Sequence, residues 1–443
     1  MKNIIPKLFA TPSVTLLITL FSALLYINVA SAQNIDTQNE LTDEDAQAIF
    51  DLAMNERDTG KVYDSIQKFE YILSRRPSLN RARLELAVSY HRASQYDKAL
   101  HEFHTVLDNP DTPEEVRLSI LAYMGQVMSD ENKPQYEQSF SYYTKVGALY
   151  NSNLNFAPLS GNQGITTDAG KKVESPGMDT FLSASHRYQN NKPFDIDGAA
   201  TLFEWQSQIS WTGNNYTDSS DFNFNVLSAS TGPAFISTGR WRGAVNLQLD
   251  QTYYGNSTLG TFLSLNPLLT FDLGNYRTAS LEMSLTNNNF TRSEDQDRDG
   301  NSILVGAAYS TLLDDANNGI EVGFRLTDQY ADDDQFGYRA AAIYFGGFLT
   351  FATNNNVYLN INLKQYDYKA ADTLACSPAP CSTDKRNETE GTYEVGYNMD
   401  IKQGFLQNWT LNTHVTYIRN NSNVDFYSYD RTIFAINLAR YFI

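Results

Sequence analysis

Long apolar runs are what this chain most lacks. Beyond its first thirty or so residues nothing approaches the ~18 consecutive apolar residues of a membrane-spanning helix, and the mean hydropathy is −0.42. A helical membrane protein is thereby excluded. Basic residues are scarce as well: 33 Lys and Arg stand against 51 Asp and Glu, for a net charge of −18, so nucleic acid is not expected as a partner. The only two cysteines are Cys376 and Cys381. In an oxidising compartment a pair this close, in Ser-Pro-Ala-Pro surroundings, is expected to form a small disulfide that stiffens the loop Ala370 to Gly391; a two-ligand metal site would need partners the loop lacks. Nucleophile elbow, phosphate loop and zinc signature are all absent, and His186 and His414 stand alone on candidate strands. Neither an enzyme nor a cofactor is expected.

What the chain has in quantity is alternation. From about Ser139 to Ile443, segments of roughly ten residues alternate apolar and polar side chains and then turn. Val245, Leu247 and Leu249 oppose Asn246, Gln248 and Asp250. Ile320, Val322, Phe324 and Leu326 oppose Glu321, Arg325 and Thr327, and the pattern returns in Val357 to Lys364 and in Tyr393 to Ile401. An aromatic-rich soluble sandwich would bury one face, but charge on the other face of strand after strand cannot line a dry core. A barrel with lipid outside and water inside fits both faces, and 25 Phe, 28 Tyr and 4 Trp suit its aromatic girdles.

Fourteen such segments are predicted, from 141–150 through 178–189 and 392–402 to 428–442. Long polar loops follow the odd ones (Asn151 to Pro176, Thr291 to Asn301, Lys369 to Gly391) and tight turns such as Gly274-Asn275 follow the even ones. With long loops outside and short turns in the periplasm, both ends of the barrel face the periplasm. Pro267 inside the sixth strand gives up a ladder hydrogen bond, which predicts either a bulge or a loosened seam. The chain ends Tyr441-Phe442-Ile443, whereas substrates of the barrel assembly machinery, an expected partner together with outer-membrane lipids, commonly end in Phe.

Residues 1–32 read as a secretory signal, with Lys2 and Lys7, an apolar stretch from Leu16 to Val29, and Ala30-Ser31-Ala32 before Gln33. No cysteine follows the cleavage site, so the protein is not expected to be a lipoprotein itself; a retained anchor is the alternative. Residues 33–132 then change to helical periodicity and repeat at a spacing of 34 residues, Ala53 to Ala87. Ala53, Ser65, Phe69, Leu73 and Pro77 recur as Ala87, Ala99, Phe103, Leu107 and, displaced by one, Pro110, with small residues where paired helices touch. The segment resembles a tetratricopeptide repeat, whose concave face suits an extended peptide or a partner's helix; bracing or plugging the barrel is the plainer role. Thr112-Pro113-Glu114-Glu115 predicts a capped fifth helix to about Met128. His101 and His104, three apart, read as a solvated face rather than metal ligands. Asp295 to Gly300 echoes the opening of a calcium loop, but its twelfth position is Gly306 and no flanking helices are predicted.

The expected architecture is therefore α+β and multidomain: a periplasmic repeat domain over 33–132 and a 14-stranded antiparallel transmembrane β-barrel over 139–443. At the junction, Val146-Gly147-Ala148-Leu149-Tyr150-Asn151-Ser152-Asn153-Leu154-Asn155-Phe156-Ala157-Pro158 resembles the first barrel strand and loop of the surface lipoprotein assembly modifier family. Arg81 to Tyr90 with Tyr96-Asp97-Lys98-Ala99 is similar to the repeat that precedes that barrel. The resemblance implies an outer-membrane protein that helps carry a client, a surface lipoprotein or secreted protein, from periplasm to surface, with no catalytic residues attached. A passive channel with a partner-docking domain and an exopolysaccharide exporter, which usually carries many more repeats, are the rivals.

Overall fold

A computed structural model describes residues 41–109, 112–159, 171–313, 317–352, 355–371 and 384–442. The signal sequence and both cysteines lie outside the described residues. The chain divides into two compact units, a largely helical one that holds the residues up to Asp58 and Tyr63–Met128, and a second of Thr59–Val62 and Ser129–Ile443.

Among the described residues the first holds five helices: α1 (Asp43–Asp58), α2 (Val62–Arg75), α3 (Asn80–Arg92), α4 (Tyr96–Leu107) and α5 (Glu114–Glu131). At the start of α1, Thr42 Oγ1 accepts the Asp45 N–H at 3.1 Å, and Asp43, Glu44 and Asp45 place negative charge at the positive end of the helix dipole. The residues repeated at 34 are the core: Ala53, Ser65, Phe69, Ala87, Ala99 and Phe103 are all buried. Ser65 Oγ lies 3.2 Å from Ser89 Oγ, a contact that larger side chains would not permit. Phe69 meets Phe50 edge-on and Phe103 stacks on Tyr123. Two charge clamps accompany this packing, Arg57 to Glu85 at 2.5 Å and Arg83 to Glu102 at 2.6 Å. Thr112 does not cap α5 as expected. Its hydroxyl donates to the Val106 carbonyl at 2.7 Å, and the Arg117 guanidinium gathers the carbonyls of Leu107, Asn109 and Thr112, so the α4–α5 turn is held from the side. His101 and His104 are exposed on α4.

The second unit is a closed barrel of fourteen strands, each paired with its sequence neighbours and β1 with β14. The strands are β1 (Tyr136–Asn151), β2 (Ser175–Ile196), β3 (Ala199–Tyr216), β4 (Phe224–Ser237), β5 (Trp241–Tyr254), β6 (Ser257–Gly274), β7 (Arg277–Phe290), β8 (Gly300–Leu313), β9 (Asn318–Ala331), β10 (Tyr338–Ala352), β11 (Asn355–Ala371), β12 (Lys385–Ile401), β13 (Trp409–Ser422) and β14 (Tyr429–Phe442). Closure comes from the register Tyr142↔Phe442 to Asn151↔Ile433. Residues opposite one another share a face, so Val322 beside Tyr309 and Phe345 belongs to one continuous outer surface. Ile320, Val322, Phe324 and Leu326 are 41% to 49% exposed on that surface. Aliphatic exposure on this scale is tolerated where the surrounding solvent is hydrocarbon.

Several strands outrun the sequence reading. β2 spans 22 residues and β12 begins at Lys385, inside the stretch predicted as loop. Lys385 to Glu390 is wholly polar, so no alternation announces it, yet Glu388 pairs with Tyr366 on one side and Ser422 on the other. Pro267 opens the ladder without bulging it: β6 and β7 pass from Leu265↔Leu285 to Leu268↔Glu282, three residues on each strand. Pro233, which the sequence reading did not single out, does the same between β4 and β5, from Thr231↔Leu247 to Ala234↔Ala244. The two gaps lie on either side of Val245, whose own pairing to Pro267 is retained.

Two outcomes follow for the helical unit. Ala87→Phe should destabilise it by about 1–3 kcal/mol through overpacking, read as an earlier loss of helical circular dichroism in the whole protein, with the barrel's heat-modifiable band unchanged. Burial first, then the hydrogen bond its hydroxyl donates to Glu70, hold the Tyr90 phenol above its ordinary value of 10.0. The unfolded chain loses that proton first, so the contribution is intact below about pH 10 and fades as pH rises above it. Melting of the helical signal at about pH 9 and about pH 11 should show this loss, and Tyr90→Phe should flatten it.

Candidate functional site

The inner face of the barrel gathers the charged and amide side chains that alternation sends away from lipid. Glu282 and Arg325, two strands apart, meet at 2.5 Å, and the guanidinium lies 4.5 Å from the Tyr344 ring centre. That ring covers Gly323, where an added Cβ would fall 2.4 Å from it. Amides form a chain across β11 to β13. Asn398 Nδ2 donates to Asn356 at 2.9 Å, Asn412 Nδ2 donates to Asn398 at 2.6 Å, and His414 Nδ1 lies 3.0 Å from Asn412 Oδ1. Farther along, Asn360 and Thr416 both donate to Glu394. Part of this surface borders a cavity of about 950 Å³ with Glu321, Tyr358 and Asn360 in its wall. His414 is thus a lumen residue held by an amide, whereas His186 sits on the outer surface against the Phe140 ring at 4.7 Å.

At one mouth the chain folds back on its own closure. After β1 the segment Asn151 to Leu159 turns back over the start of β14, and three asparagines spaced by two fasten it. The Asn151 amide donates to the Tyr216 hydroxyl of β3 at 3.0 Å, and its carbonyl accepts from Arg431 Nε of β14 at 3.0 Å. Asn153 donates to the carbonyls of Asp430 at 2.8 Å and Ala157 at 3.1 Å and accepts the Ala157 N–H at 2.8 Å. Asn155 ties the returning strand of the loop by accepting the Val173 N–H and donating to the Lys171 carbonyl. Asn151 and Asn153 are fully buried, so each of these bonds satisfies a group that water cannot reach. Beneath them Leu149, Leu154, Tyr216 and Ala435 form a small apolar core. Lys172 pairs with Asp430, and Phe156, at a φ of 52°, sets its ring edge-on to Tyr429. The segment is a latch across the β1–β14 closure.

Across the same mouth, β10 to β12 present Tyr338, Tyr366 and Tyr368, with Lys364 Nζ 4.3 Å from the Tyr366 ring centre and the Arg386 guanidinium 3.7 Å from that of Tyr368. Lower in the closure, Asn437 of β14 faces Gly147 of β1. Asn437 is fully buried, and neither its Nδ2 nor its Oδ1 has a hydrogen-bond partner among the described residues. The seam therefore carries a desolvation cost at its centre and a polar clamp at one end.

The sequence-predicted candidates distribute as follows. The repeat-packing residues lie together in the helical unit and none of them belongs to the lumen. In the acidic tip, Asp295 pairs with Arg298, Asp299 accepts the Phe290 N–H at 2.6 Å, and the described residues contain no group of three or more His, Cys, Asp or Glu placed to hold a metal. The latch asparagines had one sequence signal, the spacing of Asn151, Asn153 and Asn155, which acquires meaning only from partners far along the chain.

A family described as surface lipoprotein assembly modifier matches residues 140–442. No curated protein matches. Among solved structures, the outer membrane protein opdK from Pseudomonas aeruginosa is similar over 69% of this chain and 99% of its own, at 9% identity and a TM-score of 0.34. A loop-deletion mutant of the Vibrio cholerae outer membrane protein OmpT gives 70%, 100%, 7% and 0.36, and an anion-selective porin from Comamonas acidovorans gives 69%, 100%, 11% and 0.34.

Removing the central latch residue should free the loop. Asn153→Ala deletes three bonds in a buried setting and should cost about 1–3 kcal/mol. Limited proteolysis of the purified protein should then cut near 151–174, while the barrel band persists; unchanged resistance would show that the latch is held elsewhere.

Proposed function

The chain belongs to the surface lipoprotein assembly modifier family, whose match spans its barrel, and on that premise we propose that it is an outer-membrane translocon or translocation helper for surface lipoproteins or secreted proteins. In this reading the helical unit lies in the periplasm, is built of tetratricopeptide-like repeats, and receives the client. The barrel then gives the client a route to the surface. The observation that carries the reading is the family match over the barrel together with a polar inner face bearing Glu282, Arg325, Glu394 and the β11–β13 amides, a lining along which a polypeptide's polar groups stay solvated. No nucleotide site is needed if folding of the client outside makes its return unfavourable.

The continuous polar lining also favours a second reading, a passive channel with a docking domain. The two differ at rest. In a planar bilayer the translocon should conduct little until a client is added, and a candidate surface lipoprotein produced with it should become protease-accessible on intact cells only when this chain is present. Display without the chain would overturn the translocation reading, and steady conductance with no client would favour the channel. Ala87→Phe, with the barrel intact, should abolish display under the first reading and leave conductance unchanged under the second.

A further inference from the structure

Two arginines of the lumen hold ion pairs without spending a hydrogen bond on them. Val245, Leu247 and Leu249 of β5 are exposed on the outer surface, so Arg242, of opposite parity, belongs to the inner face. The same face continues through neighbouring strands. Ala244, two residues on from Arg242, stands opposite Ala234 of β4, Ala234 stands opposite Glu204 of β3, and Gln206, two on from Glu204, stands opposite Arg187 of β2. Ala234 has no side chain long enough to intervene, so Arg242 reaches across β4 and sets Nη2 3.7 Å from Glu204 Oε2, while Arg187 sets Nη1 3.6 Å from Oε1. Both distances exceed a hydrogen bond. Glu204 is 1% exposed; its Oε2 accepts from Gln206 Nε2 at 2.8 Å, and its Oε1 has no hydrogen-bond partner among the described residues.

A buried carboxylate requires countercharge, and Glu204 thereby keeps two guanidiniums beside it. It does not use them up. Among the described residues the side chains of Arg187 and Arg242 donate no hydrogen bond, and they are 46% and 50% exposed. Two guanidiniums against one carboxylate also leave one positive charge over. Glu137, on the row of β1 that faces Gln189, is exposed and enters no ion pair among the described residues. Arg187 lines a cavity of about 440 Å³ together with Ser141, Ser185, Gln208, Ser230 and Asn246, and the described wall contains no carboxylate. We propose that Arg187 and Arg242 form a binding site in the lumen for a small oxyanion, a free phosphate or carboxylate. The unspent N–H forks match the paired oxygens of such a group, and the hydroxyls and amides of the wall add further donors. A cation would meet the excess positive charge, and an uncharged guest would leave that charge unanswered. The site does not rest on the translocation reading.

The test is calorimetric titration of the purified full-length protein in detergent with inorganic phosphate, and in a parallel arm with acetate, against a constant background of sodium chloride. Wild type should bind at least one of the two, and which one it prefers separates phosphate from carboxylate. Arg187→Gln and Arg242→Gln should each weaken that binding at least about tenfold. Lys145→Gln removes a cation of the same inner face that is already paired with Asp179 at 2.8 Å, and it should leave the binding as it was. Arg187→Lys and Arg242→Lys, which keep the charge but lose the fork, serve if either glutamine variant loses the heat-modifiable band, and they too should bind more weakly. Binding of neither anion by wild type overturns the proposal, as does binding that folded arginine variants retain. An equal loss in Lys145→Gln also overturns it, because the effect would then belong to the general charge of the lumen. Client display is not part of this measurement, so its failure and the failure of the translocation reading are told apart.

Discussion

Hydrocarbon offers no partner to a backbone N–H or C=O, and the second unit is arranged around that constraint. A sheet in lipid must close on itself, because each unpaired group would cost several kcal/mol, on the order of a buried unsatisfied amide. Closure by antiparallel neighbours alone requires the fourteen strands to return β14 to β1. Once closed, period two divides every strand between lipid and lumen, which is why Val322 and Arg325 can lie on one short strand without conflict. The two proline gaps respect the same rule in reverse. Each leaves its strand fully paired on the other side, and neither shifts the register that keeps charge inside.

How much of this was legible depends on whether the deciding interaction is local. Alternation within β5, β9, β11 and β12 is local, so barrel, strand number and faces could be read from residues a few positions apart. The helical unit was legible for a similar reason, since Ala53 and Ala87, and Phe69 and Phe103, recur at one spacing and all are buried. Strand ends were not. The polar stretch Lys385 to Glu390 is held in β12 through pairing with neighbours, and β2 runs on past Asn190 through a register shift to Phe194; nothing in the composition of either stretch says so. Thr112 had the right residue type for a cap, whose oxygen accepts a helix N–H, but its hydroxyl is turned instead to donate to the Val106 carbonyl. Pro233 was as readable as Pro267; its significance lies in standing across β5 from it.

The lumen shows the opposite limit. Which face is polar follows from sequence, but which polar groups meet does not: Glu282 reaches Arg325 across β8, and the amides of β11 to β13 connect because of register. At the centre of the β1–β14 closure such a meeting fails for Asn437. Asn437 there keeps an unsatisfied amide opposite a residue with no side chain to answer it.

The latch joins the first strand of the barrel to the last. Asn151 and Ser152 take their partners, Arg431 and Thr432, from residues 280 positions later. Contacts of that separation come late, because the intervening chain must be ordered before they repay its loss of entropy. During biogenesis, then, the loop after β1 remains without its anchors until β14 has arrived, and its fastening marks a completed cylinder. An unfinished barrel and a finished one thus differ at this loop as well as along the β1–β14 ladder.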